Sequence, residues 1–238
     1  MRPTRTMQYD ARASDGGFQV DEEGDRLAEV ATVDDARDAV YVRAHRRAFE
    51  LASLAGWIRL HGALIDVAGA RVLLVGPSGS GKSTLAARML VDGDAVQGDE
   101  SVLMRRGEVV AVPRPLHIEP ATAVLVPEIA AMLADVPCVS GIAIVDPGRL
   151  GFTWELRQAP LDHAIVLDRN SGPQGCVPIP QTEMVASLVP EAFRVTETKS
   201  ALLRELSGGV AGVRCHRLAM SDPVVMRAAI LDAANPVG

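Results

Sequence analysis

Aromatic residues make up only 3% of the 238-residue chain, so a stacking platform for nucleic-acid bases has little to be built from. An excess of positive charge is also missing. Lys and Arg number 24 against 30 Asp and Glu, a net charge of −6, which is the wrong sign for a sequence-independent grip on a phosphate backbone. No run approaches about eighteen uncharged apolar residues, the length a membrane-spanning helix needs. Cys138, Cys176 and Cys215 are far apart and lack C-x-x-C spacing, so they read as reduced core thiols rather than metal ligands or disulfides. The stretch Met1-Arg2-Pro3-Thr4-Arg5-Thr6 is polar and carries no apolar signal-peptide core. These absences point to a cytoplasmic protein with no nucleic-acid or membrane partner. Against them stands an ordinary globular composition, 48% hydrophobic and 23% charged, sufficient for one α/β domain with a real core.

One stretch organises the rest. Gly76-Pro77-Ser78-Gly79-Ser80-Gly81-Lys82-Ser83 fits the phosphate-loop pattern G-x-x-x-x-G-K-[ST] without a mismatch, and Thr84 follows it. The apolar run Val72-Leu73-Leu74-Val75 before it suits a buried strand, and residues 83–90 suit the helix that should follow. Glycines let the backbone wrap phosphates with its N–H groups turned inward, and the helix N-terminus adds partial positive charge. Lys82 is placed to reach the β- and γ-phosphates and the Ser83 hydroxyl to ligate Mg²⁺. The expectation is a nucleoside triphosphate site.

Read in order, residues 1–24 suggest a flexible segment or at most a weak strand pair, and 25–238 a single domain. Apolar residues at helical spacing predict a helix over 40–56, with Arg43, Arg46 and Arg47 on a solvated face. Residues 60–67 read as one strand that turns at Ala68-Gly69 into the loop strand, and 101–105 with 109–112 as a second hairpin about Arg106-Gly107. Pro113-Arg114-Pro115 blocks any continuing ladder. Further elements are expected as helices at 127–134, 182–188, 196–206 (stopped by Gly208-Gly209) and 222–233. Strands are expected at 141–146, 163–168 and 213–218, with a loop over 170–180. His117, His163 and His216 show no ligand spacing and read as structural.

A phosphate loop acting in phosphoryl transfer needs an acid for Mg²⁺ and a base for the attacking hydroxyl. Asp99 with Glu100, Asp146 and Asp168 all end apolar runs. A helix of about ten residues rises roughly 15 Å and a strand of about five returns roughly 16 Å, so the path from Lys82 to Asp99 comes back to the phosphate end of the sheet. Spacing alone leaves Asp146 and Asp168 open, but the adjacent pair supplies both a metal ligand and a base. Arg114, held between prolines, is a candidate phosphate or substrate contact.

The residues Leu60-His61-Gly62, the loop at Gly76 to Ser83, and Gly98-Asp99-Glu100-Ser101-Val102 resemble the catalytic domain of HPr kinase/phosphorylase. They are more similar still to the short HPr-kinase-like proteins, some of which phosphorylate natural-product precursor peptides, lasso peptides included. The resemblance is specific over about 60–115. It implies a mixed sheet flanked by helices, of the HPr-kinase/PEP-carboxykinase-like type. It also implies an ATP- and Mg²⁺-dependent kinase acting on a Ser or Thr hydroxyl of a peptide or small protein, in a possible homo-oligomer. Asp99 becomes the base, His61 the residue that tunes it, and Glu100 a Mg²⁺ ligand with Asp99 and Ser83. Glu100 stands where the family usually has Asp. The family's downstream glycine-rich signature is replaced by Leu116-His117-Ile118-Glu119, which sets HPr itself and the phosphorylase reaction apart. A nucleotide-switched regulatory ATPase and a small-molecule hydroxyl kinase are the alternatives.

Overall fold

A computed structural model describes residues 7–112, 114–133, 136, 138–139, 141–152, 156–169, 175–193 and 198–235. Pro113, residues 170–174 of the expected loop and the start of the helix expected at Thr196 lie outside the described residues. The chain divides into two compact units, one ending at Ala55 and one beginning at Gly56.

The first unit is more ordered than its polar sequence suggests. Strands β1 (Tyr9–Ser14), β2 (Gly17–Glu22) and β3 (Asp25–Val30) form an antiparallel meander, followed by helix α1 (Val33–Leu54). The helix starts two turns before the periodicity announces it, because Thr32 and Asp35 form a reciprocal capping box, a device worth about 1 kcal/mol. Its arginines are not merely solvated. Arg43 donates to Glu22 at 2.9 and 2.5 Å and Arg47 at 3.3 Å, which holds the Glu22 carboxyl down at about 2.

The second unit begins with β4 (Ile58–Leu60), β5 (Gly62–Val67), β6 (Ala70–Val75), α2 (Lys82–Val91) and β7 (Ala95–Gly98). Next come β8 (Val102–Arg105), β9 (Glu108–Ala111), β10 (Leu116–Ile118), α3 (Pro120–Leu125) and α4 (Pro127–Met132). β11 (Cys138–Val139), β12 (Ile142–Val145), β13 (Ala159–Pro160), β14 (His163–Asp168), β15 (Cys176–Pro178) and α5 (Gln181–Leu188) follow. The chain closes with β16 (Ala192–Phe193), α6 (Lys199–Gly209), β17 (Arg214–Ala219) and α7 (Pro223–Ala234).

A mixed six-stranded sheet, ordered β15-β17-β14-β6-β5-β7, carries the unit. The loop strand β6 is parallel to β14 and antiparallel to β5, and it shows why its sequence is continuously apolar. Val72 and Leu74 enter a core beneath α2 and α7, while Leu73 and Val75 enter a second core on the opposite face. That second face is covered by α5, α6 and an antiparallel sheet ordered β13-β9-β8-β4-β16. The sheet is therefore mixed and flanked by helices, as expected, with a second sheet the sequence did not announce. Both expected hairpins form. Their turns place Ala68 (φ 51°) with Gly69 (φ 80°) and Arg106 (φ 53°) with Gly107 (φ 80°) in the left-handed region, the geometry that suits the twist of the flanking strands.

Two expectations change. Residues 60–67 are not one strand, since β4 lies in the five-stranded sheet and β5 in the six-stranded one. Gly208-Gly209 do not stop α6 but form its last turn, where a Cβ on Gly209 would lie 2.4 Å from the Met104 sulfur. Close packing selects that glycine.

Candidate active site

The loop from Gly76 to Ser83 joins β6 to α2, and its glycines are there for geometry. Gly79 (φ 69°) and Gly81 (φ 86°) are left-handed, and a Cβ on Gly76 (φ 149°) would lie 2.8 Å from Leu167 O and 2.9 Å from Ser80 Oγ. Ser80 N donates to Pro77 O at 3.0 Å, closing the loop on itself. Lys82, only 5% exposed, turns its ammonium back to donate to Gly76 O at 2.6 Å and Pro77 O at 3.2 Å. Burial lowers its pKa, and the charges of Glu191, Glu100 and Asp99 oppose that shift. Ser80 Oγ is buried with no protein partner, an orphan donor inside a glycine cradle. A helix N-terminus, a buried lysine and an unspent hydroxyl form a donor set that fits a phosphate chain.

The neighbouring wall is built where two strands change sheets. β4 passes into β5 at His61, and β7 passes into β8 through Asp99, Glu100 and Ser101. The two crossovers lie side by side, because Leu60 pairs with Val102 in one sheet and Leu64 with Gly98 in the other. β7 and β6 are both antiparallel to β5, so β7 delivers Asp99 to the same end of the sheet at which β6 delivers Gly76. Each crossover uses a glycine for close approach: a Cβ on Gly62 would meet Leu74 O at 2.7 Å, and one on Gly98 would meet the Ala111 Cβ at 3.1 Å. Arg59 Nε donates to Ser101 Oγ at 3.1 Å, tying one crossover to the other.

Asp99 is 3% exposed and lies beside the Ser83 side chain. Burial, with the Glu100 charge added, pushes its carboxyl up to about 7 against the pull of Ser83 and Arg114. Glu100 is half-buried and ion-paired with Arg114, with His117 Nδ1 3.7 Å from its other oxygen. The residues expected to serve separately as metal ligand and phosphate contact thus partner each other. His61, Ser78, Gly79, Gly81, Lys82, Ser83, Thr84 and Glu100 line one cavity of about 320 Å³. Leu125, Met220, Pro223 and Met226 add apolar surface to its lining, beside Glu119, Thr122 and Ser221. Thr84 Oγ1 lies 2.9 Å from Thr122 Oγ1, which links α2 to α3 within that cavity. Ser83, Asp99 and Glu100 are hard oxygen ligands of the kind Mg²⁺ takes alongside phosphates. Among the described residues no group of three or more His, Cys, Asp or Glu forms a metal centre.

The two other candidate acids part ways. Asp146 caps the turn Pro147–Leu150 by accepting from Gly148 N at 2.8 Å, and its strand β12 belongs to a separate small sheet with β10 and β11. Asp168 does stand at the loop end of the sheet, on the strand parallel to β6, where Arg217 ion-pairs its carboxylate. Two contributors escaped the sequence reading. Arg169 donates to Ser78 O at 2.7 Å and Gly79 O at 3.1 Å, clamping the loop, and its position just past a strand parallel to β6 was the available signal. Glu191 lies 3.0 Å from His61 Nδ1 across a separation of 130 residues, which no local pattern reveals.

Fold and site define a mixed α/β domain in which a strand–glycine loop–helix faces a carboxylate-bearing sheet crossover. No protein-family model and no curated protein matches the chain. Among solved structures it is similar to the Hpr(Ser) kinase/phosphatase from Coxiella burnetii, at 12% identity and a TM-score of 0.39, over 74% of this chain and 94% of that one. Likeness of that degree leaves the activity to be argued from the residues. Among the described residues no helix is long and apolar enough to cross a membrane.

Proposed function

We propose that the chain is an ATP- and Mg²⁺-dependent kinase of the short HPr-kinase-like type, phosphorylating a Ser or Thr hydroxyl of a peptide or small protein. The observation that carries this reading is the contact of Asp99 with Ser83 at the start of α2, beside the loop that holds the buried Lys82. Bound ATP and Mg²⁺ would supply the phosphoryl group and neutralise its charge. The chain's own part is to hold and to move a proton. Loop amides and Lys82 bind the phosphates, exchanging the Gly76 and Pro77 carbonyls for phosphate oxygens. Ser83 and Asp99 would hold the cation, Glu100 would add a third oxygen, and Arg114, now paired with Glu100, would offer its charge to the substrate. Asp99 would take the acceptor's proton: its value of about 7 is that of the metal-free protein, and a bound cation would favour the carboxylate form that a base needs.

Asp99→Asn tests the assignment. Nucleotide binding, followed by calorimetry, should persist within about threefold while transfer to acceptor peptides drops by about a hundredfold or more. Transfer at near wild-type rate would remove Asp99 from the base role.

A further inference from the structure

Glu191 has no part in the roles above, yet it is the most deliberately placed acid near the cavity. It ends the turn Val189–Glu191 after α5, whose Met184, Val185 and Leu188 are packed into the second core. Immediately after it, β16 pairs with β4, setting Ala192 opposite Leu60. His61 N donates to Glu191 O at 2.8 Å, and His61 Nδ1 lies 3.0 Å from Glu191 Oε2. One main-chain and one side-chain contact to the same residue set both where the ring hangs and which edge faces the acid. Glu191 is 9% exposed, whereas the His61 side chain is about a third exposed and lines the cavity with Lys82, Ser83 and Glu100. Glu191 is also the charge that most favours the ammonium form of Lys82, so its field reaches the phosphate cradle.

An ionised carboxylate only accepts, so the ring nitrogen facing it must carry the hydrogen. In a neutral imidazole the other nitrogen then holds a lone pair, and the partner of one nitrogen decides the state of its twin. We propose that Glu191 is a positioning residue that holds His61 in the Nδ1–H tautomer, so that Nε2 is presented to the cavity as an acceptor for the incoming hydroxyl. In that role His61 Nε2 accepts the hydrogen bond of the acceptor's O–H as the substrate docks; the hydroxyl then turns that one hydrogen to Asp99, which takes it as the phosphoryl group is transferred. The tautomer follows from the geometry alone. What faces Nε2 rests on the kinase reading.

The test has two arms. Ring ¹⁵N shifts of His61 in the nucleotide-free full-length protein, at about pH 8.5 where free imidazole is neutral, should show a protonated Nδ1 and a bare Nε2. Glu191→Ala should lose that pattern, and Glu191→Gln, whose carbonyl still accepts, should keep it. In turnover, Glu191→Ala should lower kcat by about tenfold or more with the KM for ATP changed by less than about threefold, and Glu191→Gln should recover most of the loss. A wild-type protein with hydrogen on Nε2 overturns the proposal without any variant having to fold. So does an alanine variant that keeps both the tautomer and kcat. If the wild type phosphorylates no acceptor, the kinase reading fails, and the tautomer still decides whether Glu191 positions His61.

Discussion

Substituting Asp99 by Asn should change how the stability of the nucleotide-free protein depends on pH, by an amount the site itself sets. The Asp99 carboxyl stands at about 7 in the folded protein, against 3.8 for an unburied aspartate, chiefly because it is buried. Between those values the folded chain holds a proton that the unfolded chain has released. Raising the pH therefore destabilises the fold, and the loss is complete once pH exceeds the folded value. From about pH 5 up to the folded value the slope acts over about two pH units, a loss of about 3 kcal/mol that is complete by about pH 8. The asparagine of the variant carries no charge and retains an oxygen for the Ser83 hydroxyl, so it escapes the penalty. Urea denaturation of both proteins without nucleotide or divalent cation should show the variant gaining about 3 kcal/mol on the wild type across that range. Buried groups such as His163 and His216, whose pKa values fall because of burial, contribute equally to both proteins and cancel in the difference. A stability difference that stays flat from about pH 5 to about pH 8 would refute the idea that Asp99 is held protonated by burial.

Gly62→Ala should destabilise the second unit by about 2 kcal/mol, because its Cβ would meet Leu74 O at 2.7 Å and that obstacle is backbone. A thermal melt showing no loss would mean the crossover has slack. Lys82→Ala should weaken ATP binding by about a hundredfold, since it removes a charge-assisted contact from a desolvated cradle. Calorimetry showing unchanged affinity would move the phosphate site elsewhere.

The loop and its flanking strand were legible because their chemistry is local: glycines at fixed spacing, a continuous apolar strand buried on both faces, and a lysine at a helix start. The return of the chain to Asp99 was legible too, because helix rise and strand length nearly cancel. The sheet change at His61 was not. Leu60 and Leu64 both face the second core, so the run reads as uninterrupted although the hydrogen-bonding partners switch from β8 to β6. The first unit was under-read for a different reason. Its outer strands β1 and β3 have no buried residue, and its helix begins with a polar capping box where apolar periodicity is silent. The pairings of Glu100 with Arg114, Arg169 with the loop, and Glu191 with His61 depend on distant segments meeting. They follow from topology and not from spacing.

The most direct test of the central claim is the fate of the γ-phosphoryl group. Wild-type protein, ATP and Mg²⁺ are incubated with a panel of hydroxyl-bearing peptides, and each peptide's mass is measured beside the inorganic phosphate released. A peptide kinase should yield a peptide whose mass rises by one phosphoryl group, with the label from γ-labelled ATP recovered on its Ser or Thr. Inorganic phosphate as the sole product, whichever acceptor is offered, would contradict that claim and leave a nucleotide-hydrolysing regulator in its place.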